Sequence, residues 1–183
     1  GGEVVAELGA LRAGAALPVG PALPPSVIFT FDDGYRSVFT EAFPILRRYG
    51  FVGAAYLVTD YVGRDNGWHD PALEPRVPLL TWEDVAALTA AGWEIGSHGR
   101  THRSLTRLSP AEQEAELVGS RAAIAEHLGR PPASFAYPYG DGARRGDGDV
   151  PARVAAEGYR LGFGILRDIC PVPPTDPMRA PRV

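Results

Sequence analysis

The chain contains no lysine: all 18 basic residues among its 183 are arginine. Alongside abundant alanine, glycine and proline this reads as coding bias and carries no functional message. Positive charge is not in excess either, and a formal net charge of −4 removes the electrostatic case for a nucleic-acid partner. Cysteine is all but missing; Cys170 stands alone, which excludes an internal disulfide and leaves the redox compartment undecided. No run approaches the roughly 18 apolar residues of a membrane span, so no transmembrane segment is expected. Gly1-Gly2-Glu3 reads as a cut end and not as a signal peptide. Internal repeats and long low-complexity tracts are absent too. What remains is a length suited to one domain, residues 1–183, since a chain near ~150 residues already buries about 68–70% of its unfolded surface.

Val4 to Leu11 reads as a short helix and Gly14 to Pro25 as a Pro- and Gly-rich loop, together the N-terminal stretch 1–26. Val27 to Phe31 is an apolar run without alternation, the pattern of a strand buried on both faces. Ser37 to Tyr49 reads as a helix with Phe39, Phe43, Ile45 and Leu46 on one side, a kink or break at Pro44, and Gly50 past its end. Phe51 to Val58 is the next strand. Thr59 to Leu80 is a long irregular connection, a length that favours a functional loop. Thr81 caps a helix through Ala90, and Asp84 completes a shortened capping box. Trp93 to Gly96 is a strand. Ser109-Pro110-Ala111-Glu112 starts a helix that should run to Leu128 and stop at Gly129. Ser134 to Tyr137 is a strand, Val150 to Glu157 a helix and Tyr159 to Gly164 a further strand. Strand followed by helix, several times over, argues a parallel sheet with helical crossovers. About five strands are too few for a closed eight-stranded barrel.

Chemistry concentrates where two of these strands end. Phe29-Thr30-Phe31 runs into Asp32-Asp33-Gly34. Successive side chains of a strand point to opposite sides, so the two carboxylates can do different jobs about one site. Buried and unpaired they would be costly, and they call for a cation, a shared proton or water. The run Gly96-Ser97-His98-Gly99-Arg100-Thr101-His102 offers two histidines four apart. One Asp with two His is a plausible Zn²⁺ set that leaves coordination positions free. Taken singly, an Asp-Asp-Gly is ordinarily a turn with solvated acids, and a spaced histidine pair ordinarily belongs to surface or core. Both halves following strand-like runs favours the metal. Asp32, His98 and Tyr139 all fall just past strand ends, where active-site residues of barrels built from β/α units gather.

These residues resemble the polysaccharide deacetylases of carbohydrate esterase family 4, the NodB-homology family, over roughly Val27 to Val183. Thr30 to Gly34 matches the first family motif, Thr-Phe-Asp-Asp-Gly. His98 and His102 match the second, His-Ser/Thr-x-x-His, with Gly99 where the family prefers a hydroxyl. Phe135-Ala136-Tyr137-Pro138-Tyr139-Gly140 stands where Phe-Arg-Pro-Pro-Tyr-Gly is usual. With Ala136 in place of Arg, it is similar to the exopolysaccharide branch, which includes poly-N-acetylglucosamine deacetylases.

The resemblance implies a distorted, incomplete (β/α) barrel. It implies a metal-dependent hydrolase releasing acetate from an N-acetylated glycan, extracytoplasmic or associated with the cell envelope. Asp33, His98 and His102 would hold Zn²⁺ or another divalent transition metal, Asp32 would be the general base, and the backbone N–H of Tyr139 an oxyanion donor. The tail Met178 to Val183 resembles a Leu-Pro-Arg-Ile segment of that branch, so Arg182 is the expected substitute for the arginine lost at Ala136. The family's late Leu-x-x-His, which supplies the general acid, has no counterpart, because no histidine follows His127; the chain is expected to stop short of it.

Two other readings stand beside this one: a carbohydrate-binding domain that keeps the metal without the chemistry, and a metal-dependent amidase of small non-sugar amides. The intact Asp-Asp pair argues against the first; closed loops over the site would favour the second, and an open groove a polymer. Trp68 is a candidate substrate contact in the long loop, and His69 beside it a candidate for some functional role. Trp93 is expected in the core, Tyr137 beneath the site, His127 on a helix surface and Arg144-Arg145 in a solvated loop.

Overall fold

The structure, a computed structural model, describes residues 27–143, 148–165, 168, 170–171 and 174–182. The helix and loop expected within 1–26, and Arg144-Arg145, lie outside the described residues. Five parallel strands, β1 (Phe29–Phe31), β2 (Gly53–Leu57), β3 (Glu94–Ser97), β4 (Ser134–Ala136) and β5 (Leu161–Phe163), pair in sequence order. A parallel neighbour cannot be reached by a tight turn, so the chain crosses over between strands. Helix α1 (Phe43–Arg48) lies between β1 and β2, α2 (Trp82–Ala90) between β2 and β3, α3 (Pro110–Leu128) between β3 and β4, and α4 (Val150–Ala156) between β4 and β5.

Local chemistry sets the helix ends. Thr81 accepts from the Asp84 N–H at 3.2 Å while the Asp84 carboxylate accepts from the Thr81 N–H at 3.1 Å. Ser109 and Glu112 make the same reciprocal cap for α3, which ends on Gly129 at φ 70. Such caps satisfy N–H groups that the helix leaves without partners. A π-helical turn at Val38–Ala42 passes into α1 with Pro44 in its first turn. Proline has no N–H for the helical ladder, and the winding changes there.

Alternation along the strands divides the core into two sides. On β2, Ala55 and Leu57 join Ile95, Val85, Leu88 and Trp93 beneath the helices, whereas Ala54 and Tyr56 face inward with Ala136 and Phe163. The rings of Tyr56 and Phe163 meet at 5.9 Å although their strands are separated by β3 and β4. The sheet is therefore curled into a distorted, incomplete (β/α) barrel, as expected. Gly96 makes that curl possible, because a Cβ at this position would collide with the Tyr56 ring. Among the described residues no helix is long and apolar enough to cross a membrane.

Two expectations need correction. Val27 is 74% exposed and Ile28 38%, and the strand begins only at Phe29. Among the described residues β1 is the first strand of the order and has one neighbour, so its apolar run does not mark burial on both faces. Ile45 is 58% exposed, because the change of winding at Pro44 swings it away from the face that buries Leu46.

Trp93 is 1% exposed and packs on the rings of Phe31 and Phe43, at 5.6 and 5.9 Å. Trp93→Ala is expected to destabilise the fold by about 3–5 kcal/mol, measured as a shift in the urea midpoint at unchanged slope.

Candidate active site

The chain leaves β1 at Phe31 and turns sharply, with Asp33 at φ 69 and Gly34 at φ 73. An aspartate tolerates this left-handed region better than most residues. The turn sends two adjacent carboxylates to different partners. Asp32 receives a two-pronged hydrogen bond from Arg182, Nη1 to Oδ1 at 2.8 Å and Nη2 to Oδ2 at 2.7 Å. The same Nη1 donates to Thr30 Oγ1 at 3.2 Å. The guanidinium lies over the rings of Tyr56 and Phe163, 5.6 and 5.8 Å from their centres. Ala180 pairs in parallel with Phe163 beyond the edge of β5, which brings Arg182 round to β1.

Asp33 turns to the histidines. Its Oδ1 lies 3.3 Å from His98 Nε2 and 3.1 Å from His102 Nε2. Ligand-type atoms of these three residues all fall within 4.8 Å of one another. Both histidines are buried, His98 at the end of β3 and His102 at φ 62. His98 Nδ1 lies 2.7 Å from the carbonyl of Ala136, an acceptor only, so Nδ1 carries the proton. With that proton on Nδ1, a lone pair on Nε2, where the ring carries no second proton, faces the Asp33 carboxylate. Two acceptors facing each other at this distance need a cation or an extra proton between them. The donor set therefore fits a divalent metal. Burial alone would raise the Asp33 carboxyl, but where the two rings are protonated, hydrogen bonds from His102 and His98, and their charge, hold it well below the usual carboxylate range. Burial pushes His102 down, outweighing the pull of Asp33, and so favours the neutral form that a metal requires.

The walls are aromatic. Tyr139, at φ 61, meets the His102 ring at 4.7 Å, and its hydroxyl lies 3.2 Å from His102 Nδ1. Trp68 reaches within 4.9 Å of the same ring and is met edge-on by Tyr61. His69 lies 6.2 Å from His102 and pairs with Glu74 at 3.5 Å. A cleft of about 610 Å³ opens on this side, lined in part by Trp68, His102, Arg107 and Tyr139. A second, of about 280 Å³, lies against Thr30, Asp32, Ile165 and Arg182. Away from both, Trp93 is in the core, and His127 is exposed and stacked on Trp82 at 3.8 Å. Tyr137 is fully buried and donates to the Met178 carbonyl at 2.9 Å.

The sequence reading missed Thr30 as a partner of Arg182, the Tyr56–Phe163 platform, and Glu116. The last had a visible signal. Gln113, Glu116, Leu117, Ser120 and Ile124 share the buried side of α3, so a carboxylate sits in a core-facing stripe.

The family model for polysaccharide deacetylase matches residues 20–161. The chain belongs to that family. A deacetylase-family protein of Bacillus subtilis (strain 168), YxkH, is 25% identical over 136 residues, covering 74% of this chain and 43% of the relative. Poly-beta-1,6-N-acetyl-D-glucosamine N-deacetylase of Staphylococcus aureus (strain MSSA476) is 24% identical over 149 residues, 76% of this chain and 48% of that protein. The chain thus spans about half the length of the curated relatives it matches. In fold it is similar to the Streptococcus pyogenes deacetylase PplD in complex with acetate, with a TM-score of 0.73 and 22% identity over 96% of this chain and 69% of the other.

Because burial lowers the proton affinity of folded His102, the unfolded chain takes up that proton first as pH falls. The stabilisation is complete above the ordinary histidine value of 6.5 and is lost as pH falls through the lower folded value. Metal-free protein should therefore lose stability in urea between about pH 8 and about pH 5, and His102→Gln should flatten that dependence.

Proposed function

We propose that the chain is a metal-dependent N-deacetylase of an N-acetylated glycan, with residues 1–183 as one deacetylase domain acting outside the cytoplasm. The carrying observation is the division of labour between neighbouring carboxylates: Asp32 is gripped by Arg182 and Asp33 by His98 and His102. The substrate class proposed is a β-linked N-acetylglucosamine polymer of an exopolysaccharide or envelope. Its support is the Ala136 form of the third motif and the likeness to the S. aureus enzyme. Open clefts beside Asp32 and beside His102 favour a polymer over a small amide.

In this reading Asp33, His98 and His102 hold Zn²⁺ or another divalent transition metal. Such an ion supplies Lewis acidity to the acetamide carbonyl and acidifies water. Asp32 accepts the proton of the attacking water; its carboxylate is aimed by the fork of Arg182. The Tyr139 N–H donates to the carbonyl oxygen as charge builds on it, and one such donor is worth about 2.7–4 kcal/mol. The C–N bond breaks as the nitrogen takes up the proton that Asp32 removed from water, leaving acetate and a free amine on the sugar.

Asp32→Asn should keep its metal by elemental analysis while acetate release falls about 10²–10⁴-fold. Arg182→Ala should move in the same direction, also with metal intact. Loss of metal in either variant would mean that Asp32 and Asp33 have been given the wrong roles. For the substrate, oligomers of β-linked N-acetylglucosamine should release acetate. Release from acetylated xylan but not from these oligomers would overturn the assignment.

A further inference from the structure

We propose that Glu116 is a positioning residue for the metal site, holding the loop between His98 and His102 in its ligating shape. The proposal rests on reading Asp33, His98 and His102 as metal ligands. Glu116 projects from α3, is 6% exposed, and meets the loop with both oxygens. Oε2 accepts from the N–H of Arg100 at 2.7 Å and of Thr101 at 2.9 Å; Oε1 accepts from the Thr101 hydroxyl at 2.5 Å.

The carbonyl groups of the same loop are held from the opposite direction. Thr59 N–H donates to Gly99 O at 3.1 Å and Asp60 N–H to Arg100 O at 3.0 Å. The Arg100 side chain forks onto Asp60 at 3.1 and 2.9 Å, and Gly99 N–H donates to Ser97 Oγ at 3.1 Å. Gly99 and Arg100 are therefore held through both N–H and carbonyl, and Thr101 through its N–H and hydroxyl. Gly99 belongs to the clamp. It sits at φ 81, and a Cβ there would stand 3.0 Å from Glu116 Oε2. Glycine lets the carboxylate come close enough to collect two consecutive N–H groups.

A carboxyl group on the buried side of a helix is costly unless its acceptors are filled, and these three donors occupy both its oxygens. Without those oxygens the N–H groups of Arg100 and Thr101, which lead into His102 at φ 62, would lose their acceptor. Partners that orient ligands in this way typically change metal affinity about 10–100-fold when removed.

The test is Zn²⁺ affinity, measured by competition with a chromophoric chelator, together with the visible spectrum of the Co²⁺-loaded protein. Glu116→Ala is expected to weaken Zn²⁺ binding by about 10–100-fold and to alter the Co²⁺ spectrum, with Glu116→Gln between it and the parent. Gln113→Ala is the control: Gln113 is equally buried on α3 but donates to the Leu105 and Leu108 carbonyls, at 2.8 and 3.2 Å. It should lower thermal stability and leave affinity and spectrum unchanged. Parent-like affinity and spectrum in Glu116→Ala would overturn the proposal. If that variant does not fold, the same result in Glu116→Gln would overturn it. An effect of Gln113→Ala on affinity as large as that of Glu116→Ala would reduce Glu116 to general support of the helix and also overturn it. A parent that binds no Zn²⁺ would overturn the metal reading itself, and this proposal with it.

Discussion

A single guanidinium closes the open side of the half-barrel. The five strands curl but do not meet, so among the described residues β1 is paired on one side by β2 and open on the other, where Asp32 needs a partner to fix its direction. Arg182 spans the gap by pairing with Asp32 and Thr30 while resting on Tyr56 and Phe163. Its planar fork matches a carboxylate in a way that a point charge would not. With Asp32 committed to this partner, Asp33 is left to the histidines. The roles of adjacent residues separate because charge pairing holds one of them on each side of a tight turn.

The site is assembled by elements distant in sequence, and the supports differ in kind. Asp33 and Gly34 turn by backbone conformation, His98 is set by a strand end and a carbonyl, and His102 by a clamped loop. Tertiary hydrogen bonds to main-chain groups carry most of this. Positions of that sort hold a reactive geometry better than a flexible side chain does.

Features decided within a few residues were legible before the structure. The capping pairs Thr81–Asp84 and Ser109–Glu112 and the stop at Gly129 depend on local hydrogen bonds and on backbone sterics. The grouping of Asp33 with His98 and His102 was legible from their motifs and from strand ends. Burial was less so: the apolar run at Val27 looks the same whether it lies at an edge or in the middle of a sheet, and pairing order decides which. Ile45 eluded periodicity because a π turn changes the angle between successive side chains. Glu116 was hidden by attention to the ends of α3; its meaning comes from a loop packed against the helix. The Arg182 fork could be expected only through resemblance, since no local pattern predicts that Ala180 pairs beside Phe163.

The described non-glycine residues with left-handed backbone are Asp33, His102 and Tyr139, and all three line the site. Each such conformation typically costs of the order of 1–3 kcal/mol. Replacing any of them by glycine would relax the main chain and at the same stroke delete a side chain that forms the candidate site. Thermal tolerance and turnover consequently pull against each other at these positions. Attempts to harden this protein against heat have their free choices elsewhere, in the exposed faces of the helices.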